Sequence, residues 1–318
     1  MTLEAFDSLI HKSSPERLQQ CLPTDSQIRE LYAQSYRSRM ATLDMTYRAE
    51  MGHIGSDFSC LDILTVLYFC VIKVNPKDPT WPERDRLILS KGHAAGALYV
   101  TLAEKGFFPK TWLNSYQQFD SRLQGHPDRQ KLPGVEHNTG SLGHGLSVAA
   151  GIAAGLQFSN RGRSRVPRVF ALLGDGELQE GSNWEAAMLA AQLQLDNLVA
   201  IIDRNGLQQG DSTENTVALG DLSAKWDSFG WRVAQCDGHD MKQLLTVLNT
   251  ESESLKRPTV VIAKTVKGRG VSFMENNPVW HHKVPSAEEK ARAREELETV
   301  LAAIEGNEAT WLTFVKRS

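Results

Sequence analysis

The chain has 318 residues, 41% of them apolar, and a formal net charge of −3. That length fits one large or two ordinary domains with a sizeable core, and the near-neutral balance excludes the global basic field expected of a nucleic-acid or anionic-membrane binder. Cys21, Cys60, Cys70 and Cys236 stand far apart without a CxxC pair, the pattern of reduced, buried thiols in a cytoplasmic protein.

Residues 1–25 read as a polar helical lead-in, without the basic stretch and apolar run of a secretory signal. From Ser26 a helix places Ile28, Leu31, Ser35 and Leu43 on roughly one face. After the GHIGS loop (52–56) a second helix carries an apolar stripe of Leu61, Leu64, Leu67 and Tyr68. The longest apolar run, near Ile63 to Val74, is too short to span a bilayer and reads as a core helix.

Short apolar runs then alternate with helical patterns. The runs are RLILS (86–90), RVFALLG (168–174), LVAIID (198–203), WRVAQC (231–236) and TVVIAK (259–264). Their lack of polar alternation is that of parallel strands buried on both faces. Helix-like segments cover 146–158, 183–195 and 241–249, and Ser182 with Glu185 forms a capping box at the start of the second. This order implies an α/β fold, a doubly wound and mainly parallel sheet with helices on both faces. Ligands of such sheets sit beyond the carboxyl ends of the strands. The binding domain is expected over residues 26–290, followed by a charged C-terminal helix and tail over 291–318.

The strongest local signal is RVFALLGDGELQEG (168–181), followed by LVAIIDRNGLQ (198–208). A buried strand delivers Asp175 between two glycines, and the next delivers Asn205 thirty residues later. Adjacent parallel strands would set these two side by side. One carboxylate, one amide oxygen and a backbone carbonyl, completed by diphosphate, suit the octahedral oxygen ligation of Mg²⁺. Read singly, GDG and NG are ordinary turns. The pair behind successive buried strands is far more specific.

That pair, with the GDGELQEG wording, resembles the thiamine diphosphate signature of transketolases. GHIGSDFSCLDIL (52–64), LILSKGHAAGALY (87–99), GHPDRQKLPGVEHNTGSLGHGLS (125–147), KTVKGRG (264–270) and FMENNPVWHHK (273–283) carry the same resemblance in the same order. It implies that Asp175, Asn205 and the Leu207 carbonyl hold Mg²⁺, with Ca²⁺ or Mn²⁺ able to replace it. It also implies that Gly176, Glu177 and Asn205 line the diphosphate, that His93 and His281 reach cofactor and sugar, and that the Gly140-Ser141-Leu142 backbone lies against the aminopyrimidine. His53 and His126 would face the donor ketose, and Glu180 would sit at a subunit interface linking paired active sites. Converging imidazoles suit such proton traffic, because they donate, accept and titrate near neutrality.

His11, His239 and His282 read as structural or surface histidines, and His282 occupies a position where the family usually has glycine. His137 and His144 lie beside or within the Gly140–Gly145 turn, with a structural role for His144 as open as a functional one. GSLGHG and KGRG lack the strand spacing of a dinucleotide fingerprint.

Full-length transketolases are about twice as long. Their activating glutamate and the basic residues gripping the sugar phosphate lie in the half that has no counterpart here. The resemblance therefore implies one subunit of a split transketolase, which transfers a two-carbon ketol unit from a ketose phosphate to an aldose. It would act with a separate C-terminal subunit carrying the pyrimidine domain, in a two-fold heterotetramer. Two alternatives stand beside it. One is a component of a deoxyxylulose phosphate synthase-like enzyme or a specialised sugar transketolase, and the other is a non-catalytic cofactor-binding assembly protein. The retained Asp175, Asn205 and histidines speak against the last.

Overall fold

The computed structural model describes residues 23–249 and 256–315. Nearly all of the expected lead-in, with His11 and Cys21, lies outside them. Helix α1 (Asp25–Ala49) starts one residue ahead of the expected Ser26, because Thr24 caps it. Its hydroxyl accepts the Gln27 N–H at 3.3 Å and its own N–H donates to the Gln27 side chain at 2.8 Å. The expected face is buried, with Ile28, Leu31, Ser35 and Leu43 all in the interior.

Helix α2 (Ile54–Val66) continues as a π-helical turn through Val71. Together they make 18 residues of mean hydropathy 1.6, longer than the sequence suggests and apolar enough to cross a bilayer, but 94% of that stretch is buried inside the protein. It is the central core helix.

The chain then forms β1 (Arg86–Leu89), α3 (Ala95–Lys105), α4 (Gly145–Ser159), β2 (Val169–Gly174), α5 (Gly181–Gln192) and β3 (Leu198–Arg204). A small hairpin, β4 (Leu207–Gln208) with β5 (Asp211–Ser212), leads into α6 (Thr213–Val217) and α7 (Leu222–Ser228). The rest is β6 (Arg232–Asp237), α8 (Met241–Asn249), β7 (Thr259–Lys264), α9 (Ala287–Glu305) and α10 (Glu308–Val315). Helix α9 packs on α1 and runs unbroken across position 290, where the C-terminal helix and tail were expected to begin.

The main sheet has five strands in the order β1-β2-β3-β7-β6, every pair parallel. Alternate strand residues feed two separate cores. Leu87, Phe170, Leu172, Ile201 and Val261 face the core that holds α1, α2 and α3. Ile88, Ala171, Leu173, Ile202 and Val260 face the core beneath α4, α5 and α7. Two covered faces explain the unbroken apolar runs. The exception is β6, expected to be buried like the others. It is one of the two edge strands, and only Cys236 along it is buried, whereas β1 at the other edge is buried over Leu87–Leu89.

The expected capping box at α5 does not form. The helix begins at Gly181 without a side-chain cap, and the Ser182 hydroxyl instead donates to the Gly143 carbonyl at 2.8 Å. That hydroxyl ties the helix to the GSLG turn.

Candidate active site

Strands β2 and β3 pair with Gly174 opposite Asp203, so the residues that follow leave the sheet together. Asp175 is buried. One of its oxygens accepts the Gly176 N–H at 2.8 Å, and the other accepts the Gly206 N–H at 2.6 Å and Arg204 Nη1 at 3.1 Å. The Asn205 side chain donates to Ser59 Oγ at 3.2 Å and accepts the Leu207 N–H at 3.0 Å. Asp175 and Asn205 thus share the sheet edge, as expected. Burial, and then the nearby Asp203, raise the Asp175 pKa. No group of three or more His, Cys, Asp or Glu side chains among the described residues could hold an ion. A cation at this edge would rest on one carboxylate and neutral oxygens, a donor set for a hard ion.

Beneath these loops lies a charged floor that sequence reasoning missed. The Lys91 ammonium pairs with the Asp203 carboxylate, both fully buried. Lys91 also donates to the Ser56 carbonyl at 3.2 Å, and Asp203 accepts from Ser59 Oγ at 2.6 Å and from the Thr265 hydroxyl. Against the cost of burial, each partner holds the other charged, raising the Lys91 pKa and lowering that of Asp203. Lys267 is buried nearby, its ammonium 3.5 Å from the Leu207 carbonyl. Burial and the charge of Lys91 push its pKa down to about 8. The only sequence signal for the two lysines was their place in KGH and KTVKGRG, just beyond β1 and β7, and Asp203 lay within LVAIIDRNGLQ without a visible partner.

Over this floor three of the expected histidines converge. His53 precedes the first turn of α2, His93 sits in the turn Gly92–Ala94 beyond β1, and His281 ends a short helical turn, Pro278–His281. Ring centroids lie 5.3 Å apart for His53 and His93, 5.5 Å for His53 and His281, and 5.2 Å for His93 and His281. His282, set aside as structural or surface, joins them at 4.8 Å from His53. Burial lowers the pKa of His53 to about 4 and of His281 to about 3, and holds His93 well below its usual value; neighbouring positive charge adds to each shift. All three rings are therefore neutral near pH 7, each with one donor and one acceptor nitrogen.

His126 is exposed, its ring so close to Gly140 that a Cβ there would come within 3.0 Å of it. His239 is an internal strut. Its Nδ1 bonds Asp62 at 2.7 Å and its Nε2 accepts the Val266 N–H at 2.8 Å. His137 is half-buried and His144 exposed.

The remaining expected residues separate into two sets. Gly140, Ser141 and Leu142 form an accessible turn, and Glu180 is exposed beside it. Gly143 has φ +89°, and a Cβ there would meet the Glu180 Cβ at 2.6 Å. Glu177, expected against the cofactor, is instead buried and committed to the scaffold. It accepts the Gly143 N–H at 2.9 Å, the Gly174 N–H at 3.0 Å and the Ser90 hydroxyl.

Among the buried polar atoms without a protein partner are His53 Nδ1, Ser56 Oγ, Thr139 Oγ1 and His281 Nδ1, on or beside the segments just described, where a bound ligand would supply a partner. Gly92 keeps that space closely packed, since a Cβ there would lie 2.7 Å from Thr139 Oγ1.

Residues 32–300 match the family described as transketolase, thiamine diphosphate binding domain. The chain belongs to the transketolase family. It is 48% identical to one of the subunits of apulose-4-phosphate transketolase from Actinobacillus succinogenes over 268 residues, which are 84% of this chain and 95% of that protein. The corresponding protein of Phocaeicola vulgatus is 42% identical over 88% of this chain and 98% of its own length. Among solved structures, transketolase from Campylobacter jejuni superposes with a TM-score of 0.79 at 32% identity, over 89% of this chain and 45% of that one. The chain thus spans about half the length of that transketolase and nearly the full length of the two apulose-4-phosphate transketolase subunits.

Proposed function

We propose that this transketolase-family chain is the cofactor-binding subunit of a two-chain transketolase, which moves a two-carbon ketol unit from a ketose phosphate to an aldose. The observation that carries the reading is the placing of Asp175 and Asn205 just beyond two adjacent parallel strands, together with a cluster of neutral imidazoles. The family's domain binds thiamine diphosphate, and the residues here fit that group. Asp175, Asn205 and the Leu207 carbonyl would hold Mg²⁺, with Gly176 and Lys267 beside the diphosphate and the Gly140–Leu142 backbone against the aminopyrimidine.

When bound, thiamine diphosphate supplies the nucleophilic carbon and the electron sink for cleavage beside the ketose carbonyl. This chain's part is position and proton handling. Neutral His93 and His281 can each donate one hydrogen bond and accept another, so they suit a sugar hydroxyl that loses its proton as a carbon–carbon bond breaks. His53 and His126 would orient donor hydroxyls. Lys91 and Asp203 keep the floor rigid and fix the local charge.

The two bacterial relatives are named for apulose 4-phosphate, which makes that ketose phosphate the leading donor. Their naming as subunits also supports a separate partner chain. The assembly proposed is two copies of each chain in the cytoplasm, with Glu180 near the two-fold axis. A two-carbon transfer assay with apulose 4-phosphate and a short aldose phosphate tests the reading. The expected result is turnover by the two chains together and none by either alone. Robust turnover by this chain alone would overturn the two-chain assignment.

A further inference from the structure

We infer that His282 is a specificity-determining residue, placed to contact the part of the sugar beyond the two-carbon unit that is transferred; the inference rests on the transketolase reading above. Three observations carry it. The first is depth. Of the four clustered imidazoles, His93, His53 and His281 are half-buried, whereas His282 is exposed. His53 contacts both ends of this series, with its ring 5.3 Å from His93 and 4.8 Å from His282. A ketose whose carbonyl end points toward the buried loops would extend its later carbons past His53 to His282.

The second observation is that the turn does not need this side chain. Its backbone is fixed from below. Asn277 caps it by accepting the Val279 N–H at 3.1 Å, and the Trp280 indole donates to the Phe273 carbonyl at 3.0 Å. The Trp280 carbonyl packs on Gly55, where a Cβ would lie 2.7 Å from it. His282 itself has φ −133°, outside the positive-φ range that calls for glycine. The backbone therefore demands neither the glycine usual in the family nor a histidine.

The third observation is chemical. The His282 imidazole meets His53 edge to face, at an interplanar angle of 80°. An exposed imidazole beside a neutral, half-buried one offers a further hydrogen-bonding group toward the sugar. Glycine at this position would leave that space to water.

The test compares His282→Gly and His282→Gln with the wild type in the assembled two-chain enzyme. Steady-state constants are measured with two donors, apulose 4-phosphate and D-xylulose 5-phosphate, and unfolding midpoints are recorded alongside. Loss of one hydrogen bond to one donor predicts a change of roughly three- to tenfold in the ratio of the two kcat/KM values for His282→Gly. KM should carry most of it, and glutamine should restore part. Thiamine diphosphate affinity and the unfolding midpoint should stay unchanged.

A uniform fall in kcat for both donors, with their ratio intact, would show that His282 only steadies His53 and would overturn the inference. So would an unaltered ratio with unaltered kcat. If neither variant folds, the side chain serves the turn and the inference also fails. A wild-type enzyme inert toward both ketoses would defeat the transketolase reading itself, a result distinct from an active enzyme whose discrimination is untouched.

Discussion

The carboxylate of Glu177 accepts the backbone N–H of Gly143 at 2.9 Å and so ties the segment after the Asp175 loop to the GSLG turn on a different element. The same group accepts the N–H of Gly174 at 3.0 Å and the Ser90 hydroxyl. Three segments around the proposed cofactor cleft therefore share one buried acceptor.

Glu177→Ala should accordingly act through the fold. Three donors would lose their partner in the interior, at a cost on the order of 3 kcal/mol or more. Thermal unfolding should show a large fall in midpoint, with thiamine diphosphate affinity falling in parallel. A loss of affinity at an unchanged midpoint would instead indicate direct contact with the cofactor, as the sequence suggests.

The histidines should behave in the opposite way. Alanine at His93, His126 or His281 in the assembled enzyme should cut turnover by roughly a hundredfold or more. Unfolding midpoints should move by no more than about 3 °C. Large stability losses in all three would mark them as packing residues.

Acid should destabilise the chain through the same imidazoles. His53 and His281 have folded pKa values of about 4 and about 3, below the ordinary 6.5. Between those limits the unfolded chain binds more protons, so stability is lost as pH falls from about 6.5 toward 4. The double variant His53→Gln, His281→Gln should show a shallower decline over that range in denaturant titrations. An unchanged slope would place both rings in contact with bulk water.

Asp57 should give the reverse trend. One of its oxygens accepts the Ala97 N–H at 2.8 Å, the other is buried without a partner, and burial raises its pKa to about 7. The folded state binds the extra proton between about 4 and 7, so the buried carboxylate costs stability increasingly as pH rises through that window. The midpoint of Asp57→Asn minus that of the wild type should grow from pH 4 to pH 8. A constant difference would contradict a buried, unpaired carboxylate.

Much of this was legible in the sequence because it was local. Continuous apolar runs gave the covered strands, and the thirty-residue interval between Asp175 and Asn205 corresponded to one step across the sheet. What was hidden depends on long-range assembly. Lys91 and Asp203 are 112 positions apart, and no local pattern pairs them. Ser182 had the spacing of a helix cap, yet its hydroxyl is drawn to Gly143 because two loops meet there. Strand β6 carried an apolar pattern but lies at an edge that its neighbours leave largely uncovered. Its neighbours in sequence could not reveal its place in the strand order. His282 read as a bystander because only the folded turn swings it onto His53.

The central claim is a Mg²⁺-dependent diphosphate site built on Asp175 and Asn205. The most direct measurement is calorimetry of thiamine diphosphate binding to the assembled enzyme, with Mg²⁺ and with excess chelator, for the wild type and for Asp175→Ala. Tight binding is expected only for the wild type with Mg²⁺, because the substitution removes the one carboxylate placed to hold the ion. Equal affinity in Asp175→Ala, or wild-type affinity indifferent to the chelator, would contradict it.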